Sequence, residues 1–233
     1  MMVQYARMER SRLYDDVASE LERMIHEDEL HVGHKLPSEP ELAQKFGVSR
    51  NILREALRTL KERGLVSVRN GAGTFVERPK PEVLINALDR FVRLTDMTAR
   101  QLFEIRSAIE VTAAGLAAER ADSTHVKKLE AIIAAMQAHQ SDVRRWTEEE
   151  LAFHFIIAEA TRNPLFPCLI EALAMGLAEL FATGFYKPGG HRYGIEGHTA
   201  ILAAIKAHAK EEAERAMLDH LNDSRKHLLQ ERS

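Results

Sequence analysis

Residues 36–76 of the chain are LPSEPELAQKFGVSRNILREALRTLKERGLVSVRNGAGTFV, and this stretch decides the fold of the N-terminal part. Ser38 and Glu41 have the three-residue spacing of a capping box, and Pro40 falls in the first turn, where a helix tolerates proline. We therefore expect a short helix that begins after Ser38 and ends at Phe46.

A second helix in this stretch is expected over residues 50–63. Ser49 is a good N-cap for it, a tight turn at residues 47–48 precedes it, and Gly64 closes it. A further helix is expected upstream, over residues 12–30, where apolar residues recur at helical spacing.

The end of the quoted stretch predicts a β-hairpin. Alternating β-branched residues flank a turn built from Asn70, Gly71 and Gly73. Two helices joined by a tight turn and followed by such a hairpin are typical of a winged helix-turn-helix.

Positive charge is concentrated in the same region. The whole chain has a formal net charge of -3, which by itself is unlike a DNA-binding protein. Between Lys45 and Arg69, however, there are seven cations and two anions, whereas residues 79–233 hold 19 cations and 22 anions. A short basic segment in a mildly acidic chain favours a local contact with phosphate.

Arg50, Arg54 and Arg58 are spaced by four and so form one ridge on their helix. The opposite, core-facing stripe consists of Leu53, Ala56, Leu57 and Leu60. We expect the ridge to face DNA, with Arg50 and Asn51 reaching base edges in the major groove. A solvated charged face is the alternative, which the tight turn and the glycine-rich wing disfavour.

Pro79 and Pro81 separate this region from a long stretch without strand signals. We expect a winged helix-turn-helix domain over residues 1–78 and an all-α bundle of six to seven helices over residues 79–233, which makes the protein mainly α with a small β-wing. The helices expected in the second domain cover residues 82–95, 98–120, 124–140, 143–161, 164–183, 193–208 and 211–230.

The composition fits a folded protein, because 45% of the residues are apolar and 29% are charged, unlike a disordered or fibrous chain. The single cysteine, Cys168, rules out an intrachain disulfide and is expected to be a buried thiol in a reducing compartment. No apolar run approaches the roughly 20 residues of a membrane span, and the first residues lack the apolar segment of a signal peptide. These features predict a cytoplasmic protein.

Four residues of the second domain form a candidate metal site. Glu150 and His154 are four apart on one expected helix, and His198 and His220 lie on the apolar stripes of the last two. If those two helices form a hairpin that turns near residues 209–210, the imidazoles of His198 and His220 are level with each other. Three inward imidazoles and a carboxylate suit a divalent ion, zinc first, with nickel or manganese as alternatives.

Other interpretations of the four residues remain open. An inward histidine can be a hydrogen-bonded core residue, and Glu150 can close a capping box with Thr147. A metal-dependent hydrolase would use a metal-activated water here, but no accompanying nucleophile is evident, and an enzyme would not explain the DNA-reading segment. A DNA-architectural protein with a purely structural second domain is disfavoured because unpaired buried polar groups are costly.

The stretch 36–76 closely resembles the winged helix-turn-helix of GntR-family regulators. The resemblance implies groove and phosphate contacts from Arg50, Asn51 and Arg54, and a wing that approaches the minor groove. Many members have arginine where this chain has Pro40, so the preferred operator should differ from theirs. The complete set of candidate DNA-binding residues is Ser49, Arg50, Asn51, Arg54, Arg58, Arg69, Asn70 and Gly71.

The segments ELAFHFIIAEATRNPL, EGHTAILAAI and AMLDHL resemble the FCD effector domain of the FadR subfamily over most of residues 82–230. Its metal-binding members match at the three histidines, while their fourth ligand is usually aspartate and this chain has Glu150. Members that bind an acyl-coenzyme A thioester without a metal lack this histidine set, and they define a further alternative.

The same resemblance implies that Arg106 faces the effector cavity and that Asn163 lines it. From the residues alone, Arg106 and Glu110 can equally form a surface ion pair, and Asn163 can be a helix-terminus residue.

Together these features predict a ligand-responsive DNA-binding regulator, a repressor of a metabolic operon rather than an enzyme. We expect a homodimer on a near-palindromic double-stranded operator, because one reading head contacts too short a half-site for selectivity. The expected effector is a small organic acid, such as a hydroxy, keto or sugar acid, that fills open positions on the metal. Arg106 would add a fork of donors for its carboxylate.

Overall fold

The computed structural model describes residues 2–27, 30–95, 97–184 and 190–229. The chain divides into two compact units, residues 1–83 and 84–233. Helices dominate both, and the strands found among the described residues form one two-stranded sheet. The protein is therefore mainly α with a small β-wing, as the sequence predicts.

The N-terminal unit contains three helices followed by the wing. Its elements are α1 (Met2–His26), α2 (Glu39–Phe46), α3 (Arg50–Glu62), β1 (Val66–Arg69) and β2 (Gly73–Val76). Apolar side chains from all of the helices and from both strands of the wing pack into one core, among them Leu21, Leu42, Leu53 and Val76.

The caps expected at α2 and α3 are present. The Glu41 carboxylate accepts from the backbone N–H of Ser38 at 2.8 Å and from its hydroxyl at 2.7 Å, and the Ser49 hydroxyl accepts from the N–H of Ile52 at 3.4 Å. Gly47 ends α2 at φ 65°, in the left-handed region that favours glycine. This makes the turn between α2 and α3 tight.

The first helix differs from the expected residues 12–30, because α1 begins at Met2 and ends at His26. Residues 2–11 contain neither glycine nor proline, so nothing in them stops the helix even though their apolar periodicity is weak. At the other end, Leu30 is buried in the core and its N–H donates to the carbonyl of Met24 at 3.0 Å. The helix therefore ends before residue 30, where the apolar pattern stops.

The wing is the predicted hairpin. Its strands are antiparallel, with Val66 opposite Val76 and Arg69 opposite Gly73. The N–H of Ala72 donates to the carbonyl of Arg69 at 2.9 Å, and Gly71 has a φ of 72°. The predicted turn glycine, Gly71, therefore has the left-handed backbone conformation that the turn requires.

The C-terminal unit is built from helices whose ends agree with the expected ones to within a few residues. They are α4 (Pro81–Leu94), α5 (Ala99–Arg120), α6 (Ser123–Ala138), α7 (Val143–Ala160), α8 (Leu165–Gly184), α9 (Gly190–Lys206) and α10 (Lys210–Leu229). Helix α5 packs against α7, α8, α9 and α10, so several of its faces are covered by other helices. Among the described residues, no helix is long and apolar enough to cross a membrane.

Candidate metal centre and nucleic-acid interface

Helix α3 presents a basic face to solvent and an apolar face to the core. Arg50, Asn51, Arg54 and Arg58 are exposed. The four residues of the apolar stripe, Leu53, Ala56, Leu57 and Leu60, are all buried. The predicted division of the helix is therefore present, and contact of its basic face with DNA stays a prediction.

Two arginines of this face are paired with carboxylates of their own domain. The Nε atom of Arg54 donates to Oε2 of Glu39 at 2.7 Å, and that of Arg58 donates to Oε1 of Glu62 at 3.2 Å. Both pairs are exposed, and exposed pairs of this kind are worth about 1 kcal/mol or less. A DNA phosphate can therefore replace either carboxylate at little cost.

The wing holds Arg69 in place without burying it. Its guanidinium lies 4.4 Å from the centre of the Phe75 ring and 3.2 Å from Oε1 of Glu77. A hydrogen bond from the Ser67 hydroxyl, followed by one from Arg69, lowers the pKa of the Glu77 carboxyl. Asn70 and Gly71 are exposed at the tip.

The four residues predicted as metal ligands come together in the core of the C-terminal unit. Helix α7 supplies Glu150 and His154, α9 supplies His198 and α10 supplies His220. Each offers one ligand atom, these atoms lie within 4.8 Å of one another, and all four residues are buried. The Glu150 carboxylate lies 3.4 Å from Nε2 of His154, 3.4 Å from Nε2 of His198 and 3.5 Å from Nε2 of His220.

These separations are close to those between ligands of one metal ion. With bonds of about 2.0 to 2.1 Å, a tetrahedral zinc site places its ligands about 3.3 to 3.4 Å apart. The Nε2 atoms of His154 and His220 are 3.3 Å apart, and the distances to Glu150 are similar. With all four ligand atoms within 4.8 Å of one another, the donor set is compatible with one divalent ion.

Unsatisfied polar atoms also mark the centre. Both carboxylate oxygens of Glu150 and both ring nitrogens of His198 are buried without a hydrogen-bond partner. Each such atom would cost about 1 to 3 kcal/mol if it stayed unpaired. A bound cation would give the Glu150 oxygens and one nitrogen of His198 an interaction partner. Apolar neighbours cannot provide one.

The hairpin predicted for the last two helices is present. Helix α9 ends at Lys206 and α10 begins at Lys210, and the rings of His198 and His220 lie with their centres 4.3 Å apart. The two imidazoles are level, as counting from the turn predicts.

Gly197 makes room for His220, a role that the sequence analysis missed. A Cβ atom at position 197 would lie 2.7 Å from Nδ1 and 3.1 Å from Cβ of His220. A glycine inside a helix costs roughly 1 kcal/mol relative to alanine. Its place next to His198 was the available signal, since an isolated glycine in a helical pattern often marks a close approach.

Arg106 and Glu110 are buried, with 2% and 4% of their side chains exposed, so the surface-pair alternative is wrong. The Nε atom of Arg106 donates to Oε1 of Glu110 at 2.5 Å. The Nη1 atom of Arg106 is buried without a hydrogen-bond partner. On its other side, Oε2 of Glu110 contacts Nδ1 of His154. Glu110 was not among the predicted site residues, yet it lies directly behind a candidate ligand.

Burial and charge act in opposition on the ionisable groups of the centre. Burial raises the pKa of Glu110, but the charges of Arg106 and His154 outweigh it and hold that pKa at about 2. Burial lowers the pKa of His154, but the Glu110 carboxylate outweighs it and raises that pKa to about 9. At His198 burial prevails over the Glu150 carboxylate and holds the pKa well below its usual value. His198 is thus neutral, as a metal ligand must be.

Two further expectations concern α7 and its C-terminal end. Helix α7 begins at Val143 with Asp142 as its N-cap, so Thr147 lies inside the helix and does not form a capping box with Glu150. Asn163 is exposed and its Oδ1 accepts from the N–H of Leu165 at 3.1 Å, next to the start of α8. These contacts are those of a helix-terminus residue and give no support to a place in the effector cavity.

Known proteins are similar to both units of the chain. Residues 13–76 match the family described as bacterial regulatory proteins, gntR family, and residues 101–223 match the FCD domain. The HTH-type transcriptional repressor NanR of Enterobacter sp. (strain 638) is 33% identical over 220 residues, which cover 91% of this chain and 84% of the relative. The HTH-type transcriptional regulator LutR of Bacillus subtilis (strain 168) is 31% identical over 205 residues, 86% of this chain and 94% of the relative.

A solved structure has the same architecture. The GntR protein of Streptococcus agalactiae is 28% identical, with a TM-score of 0.59, over 91% of this chain and 99% of that one. The fold and the matches define a transcription regulator with an N-terminal winged helix-turn-helix and a C-terminal helical domain. The chain belongs to the GntR family of bacterial regulatory proteins and carries an FCD domain. Because this is a family of regulators and not of enzymes, the hydrolase alternative is wrong.

Proposed function

We propose that this chain is a repressor of a metabolic operon whose affinity for its operator is set by a small organic acid bound beside a divalent metal ion. In this proposal residues 1–78 bind DNA, and residues 79–233 bind the effector and dimerise. The observation that carries it is the buried cluster of Glu150, His154, His198 and His220, in which both Glu150 oxygens and both His198 ring nitrogens lack a hydrogen-bond partner.

Zinc is the proposed ion, with nickel or manganese as alternatives. Three imidazole nitrogens and one carboxylate oxygen suit zinc, and a six-coordinate ion held by these four ligands would keep two positions open. Glutamate in the place where most metal-binding relatives have aspartate still reaches the cluster, because its oxygens lie 3.4 to 3.5 Å from the three imidazoles. The histidine set also argues against a metal-free regulator that binds acyl-coenzyme A.

The proposed effector carries a carboxylate, because the chain offers a cationic donor near the cluster. Arg106 is buried, and its Nη1 is free to donate to an anion. A bound divalent ion would supply positions for carboxylate and hydroxyl oxygens of the same molecule. A hydroxy, keto or sugar acid combines these groups.

The surroundings of the cluster suggest on which side the acid binds. A groove with a volume of about 580 Å³ runs along α9 and α10 and reaches His220. Its ionisable lining is mainly acidic, with Glu196, Glu212, Asp219 and Asp223 against one arginine, Arg215. An anion would be repelled there, so we place the effector on the Arg106 side of the cluster.

DNA binding is assigned to the exposed basic face of α3 and to the wing. Arg50 and Asn51 would read bases, Arg54 and Arg58 would meet phosphates, and Ser49 would hold the N-terminus of the helix against the backbone. The wing residues Arg69, Asn70 and Gly71 would approach the minor groove.

A homodimer on a near-palindromic operator completes the proposal. Helix α4 offers an apolar stripe for a second copy: Leu84, Phe91 and Leu94 are 37%, 60% and 79% exposed, and Ala87 lies between them at heptad spacing. Exposed apolar stripes of this kind are typical of helix–helix contacts between subunits.

The test combines metal, acid and DNA in the full-length protein. Operator sequences are first selected from random duplexes, and binding is then measured by fluorescence anisotropy while a panel of metabolite carboxylates is titrated. An acid that raises the melting temperature should also change operator affinity, and a tenfold change corresponds to about 1.4 kcal/mol of coupling. Acids that stabilise the protein but leave operator affinity unchanged would refute the regulatory mechanism, and protein without any preferred sequence would refute the DNA assignment.

A further inference from the structure

Glu110 of α5 connects two groups that the proposed function treats separately. One of its carboxylate oxygens accepts from Nε of Arg106 at 2.5 Å, and the other contacts Nδ1 of His154. The side chain of Glu110 is 4% exposed. A buried carboxylate is costly unless its oxygens are engaged, and here both are.

The contact with Glu110 decides how the ring of His154 is turned. Its Nδ1 faces Glu110, while its Nε2 lies 3.3 Å from Nε2 of His220 and 3.4 Å from the Glu150 carboxylate. An imidazole that binds a metal is neutral and carries one N–H, and an ionised carboxylate can only accept. The proton therefore belongs on Nδ1, which leaves the lone pair of Nε2 directed into the cluster.

We propose that Glu110 is a positioning residue that holds His154 as the Nδ1–H tautomer, with its Nε2 lone pair directed at the metal, and that Arg106 anchors Glu110 for this purpose. The inference rests on the proposed metal centre. Carboxylates behind metal-bound histidines raise the basicity of the ligand and fix its orientation, and their loss typically weakens metal binding by about 10- to 100-fold.

Among the described residues, His154 is the one histidine of the cluster whose Nδ1 contacts a carboxylate outside it. The ion pairs of His198 and His220 involve Glu150 alone, whereas His154 contacts Glu110 as well. Glu110 therefore acts on one ligand specifically. A residue that only stabilised the core would not need to contact this one histidine of the cluster.

The first experiment measures zinc affinity by chelator competition for full-length wild type, Glu110→Gln and Glu119→Gln. Glutamine keeps one acceptor oxygen but directs an NH₂ group at a second N–H donor, so it can serve Arg106 or His154 and not both. Glu119 lies on the same helix and pairs with exposed Lys210 at 2.9 Å, so its variant is a control with the same loss of charge. We expect zinc to bind Glu110→Gln about 10- to 100-fold more weakly, and Glu119→Gln as tightly as wild type.

Failure of this inference and failure of the metal centre give different results. If wild type takes up no zinc, the metal centre is wrong and the role of Glu110 is wrong with it. If wild type and Glu110→Gln bind zinc with equal affinity, the metal centre stands and the role of Glu110 alone is overturned.

A second readout distinguishes positioning from a contribution to folding. If Glu110 only stabilised the fold, its substitution would lower the melting temperature with and without zinc by the same amount, and this result would overturn the proposal. Positioning predicts that zinc raises the melting temperature of the variant less than that of wild type. Nitrogen-15 NMR of the zinc-free proteins above pH 9, where His154 is neutral, should show it as Nδ1–H in wild type and as a mixture of tautomers in Glu110→Gln. If Glu110→Gln does not fold, Glu110→Asp keeps the charge with a shorter reach, and we expect an intermediate zinc affinity.

Discussion

Two arginine–glutamate pairs of similar geometry lie in opposite surroundings in this protein. Arg54 and Glu39, at the exposed basic face of α3, are 2.7 Å apart and their side chains are 62% and 38% exposed. Arg106 and Glu110, behind the candidate metal centre, are 2.5 Å apart and 2% and 4% exposed. Water screens the first pair and is excluded from the second.

The difference shows that burial decides how strongly an arginine–glutamate pair is held together. An exposed pair is weak, so its arginine can leave the carboxylate for a phosphate. A buried pair is held by the cost of leaving either charge alone, so it can fix the orientation of a neighbour such as His154. The surface pair suits exchange of partners, and the buried pair suits positioning.

Removal of each arginine should separate the two pairs most clearly. Arg106→Met leaves the Glu110 carboxylate buried without its main partner, so the free energy of unfolding should fall by about 3 to 5 kcal/mol. Arg54→Met should change it by about 1 kcal/mol or less. Chemical denaturation of both variants in the presence of a chelator checks this, and equal losses would contradict the distinction between the pairs.

The zinc-free protein should lose stability as pH rises from about 6.5 to 9. The pKa of His154 is raised from 6.5 to about 9 in the folded state, so the stabilisation from its contact with Glu110 is fully present below pH 6.5 and lost as pH rises through 9. The loss amounts to about 3 kcal/mol at most. Denaturation curves across this range, with chelator present, measure it. Glu110→Gln should be much less pH-dependent, and a variant with the wild-type slope would show that another group is responsible.

At the surface pair, the two partners should have opposite importance for DNA binding. Arg54→Ala should weaken operator binding by about 1 to 3 kcal/mol, or reduce its salt dependence if the contact is to phosphate. Glu39→Gln frees Arg54 and should not weaken binding at low salt. Anisotropy titrations at several salt concentrations compare them. If Glu39→Gln binds as poorly as Arg54→Ala, the pair acts as a fixed unit like the buried one.

The buried centre should also be sensitive to a single methyl group. Gly197→Ala would crowd His220 and should weaken zinc binding about tenfold, although alanine favours the helix. Gly194→Ala lies on the same helix, where the new Cβ would meet only the ring of Trp146, at 3.0 Å, and it serves as the control. Chelator competition measures both. Unchanged affinity in Gly197→Ala would mean that His220 can move without loss to the centre.

Local sequence patterns were sufficient to predict which side chains of α3 are exposed and which histidines of α9 and α10 lie at the same level. On α3 the spacing of Arg50, Arg54 and Arg58 against the apolar stripe predicted which side chains are exposed, and the structure has them so. Counting from the turn between α9 and α10 likewise predicted that His198 and His220 are level. Both predictions need only the helical repeat and one chain reversal.

The same reasoning left two alternatives open on α5, where Glu104, Ala108 and Thr112 belong to one exposed stripe and Arg106 and Glu110 lie on the opposite, buried face. The helical spacing after Leu102 and Phe103 favours the core face for Arg106, but an i, i+4 charged pair is compatible with exposure as well as burial, so the surface pair stayed an alternative. Local sequence also left two alternatives for Asn163, because a helix-terminus residue and a residue that lines a cavity can have the same neighbours in the chain. The apolar pattern did not predict the early start of α1, because residues 2–11 are helical although their apolar residues do not recur at a regular helical spacing.

The amino-acid sequence by itself determined the winged helix-turn-helix, the helical second domain and the four residues of the candidate metal centre. These depend on caps, turns, helical spacing and residue type, all of which act over a few residues. Only the tertiary structure decided that Glu110 contacts His154 and that Gly197 leaves room for His220. Those contacts join different helices, α5 with α7 and α9 with α10, and distance between helices is set by packing of the whole core. The exposed and buried arginine pairs differ for the same reason, because burial belongs to the folded molecule and not to a segment of its chain.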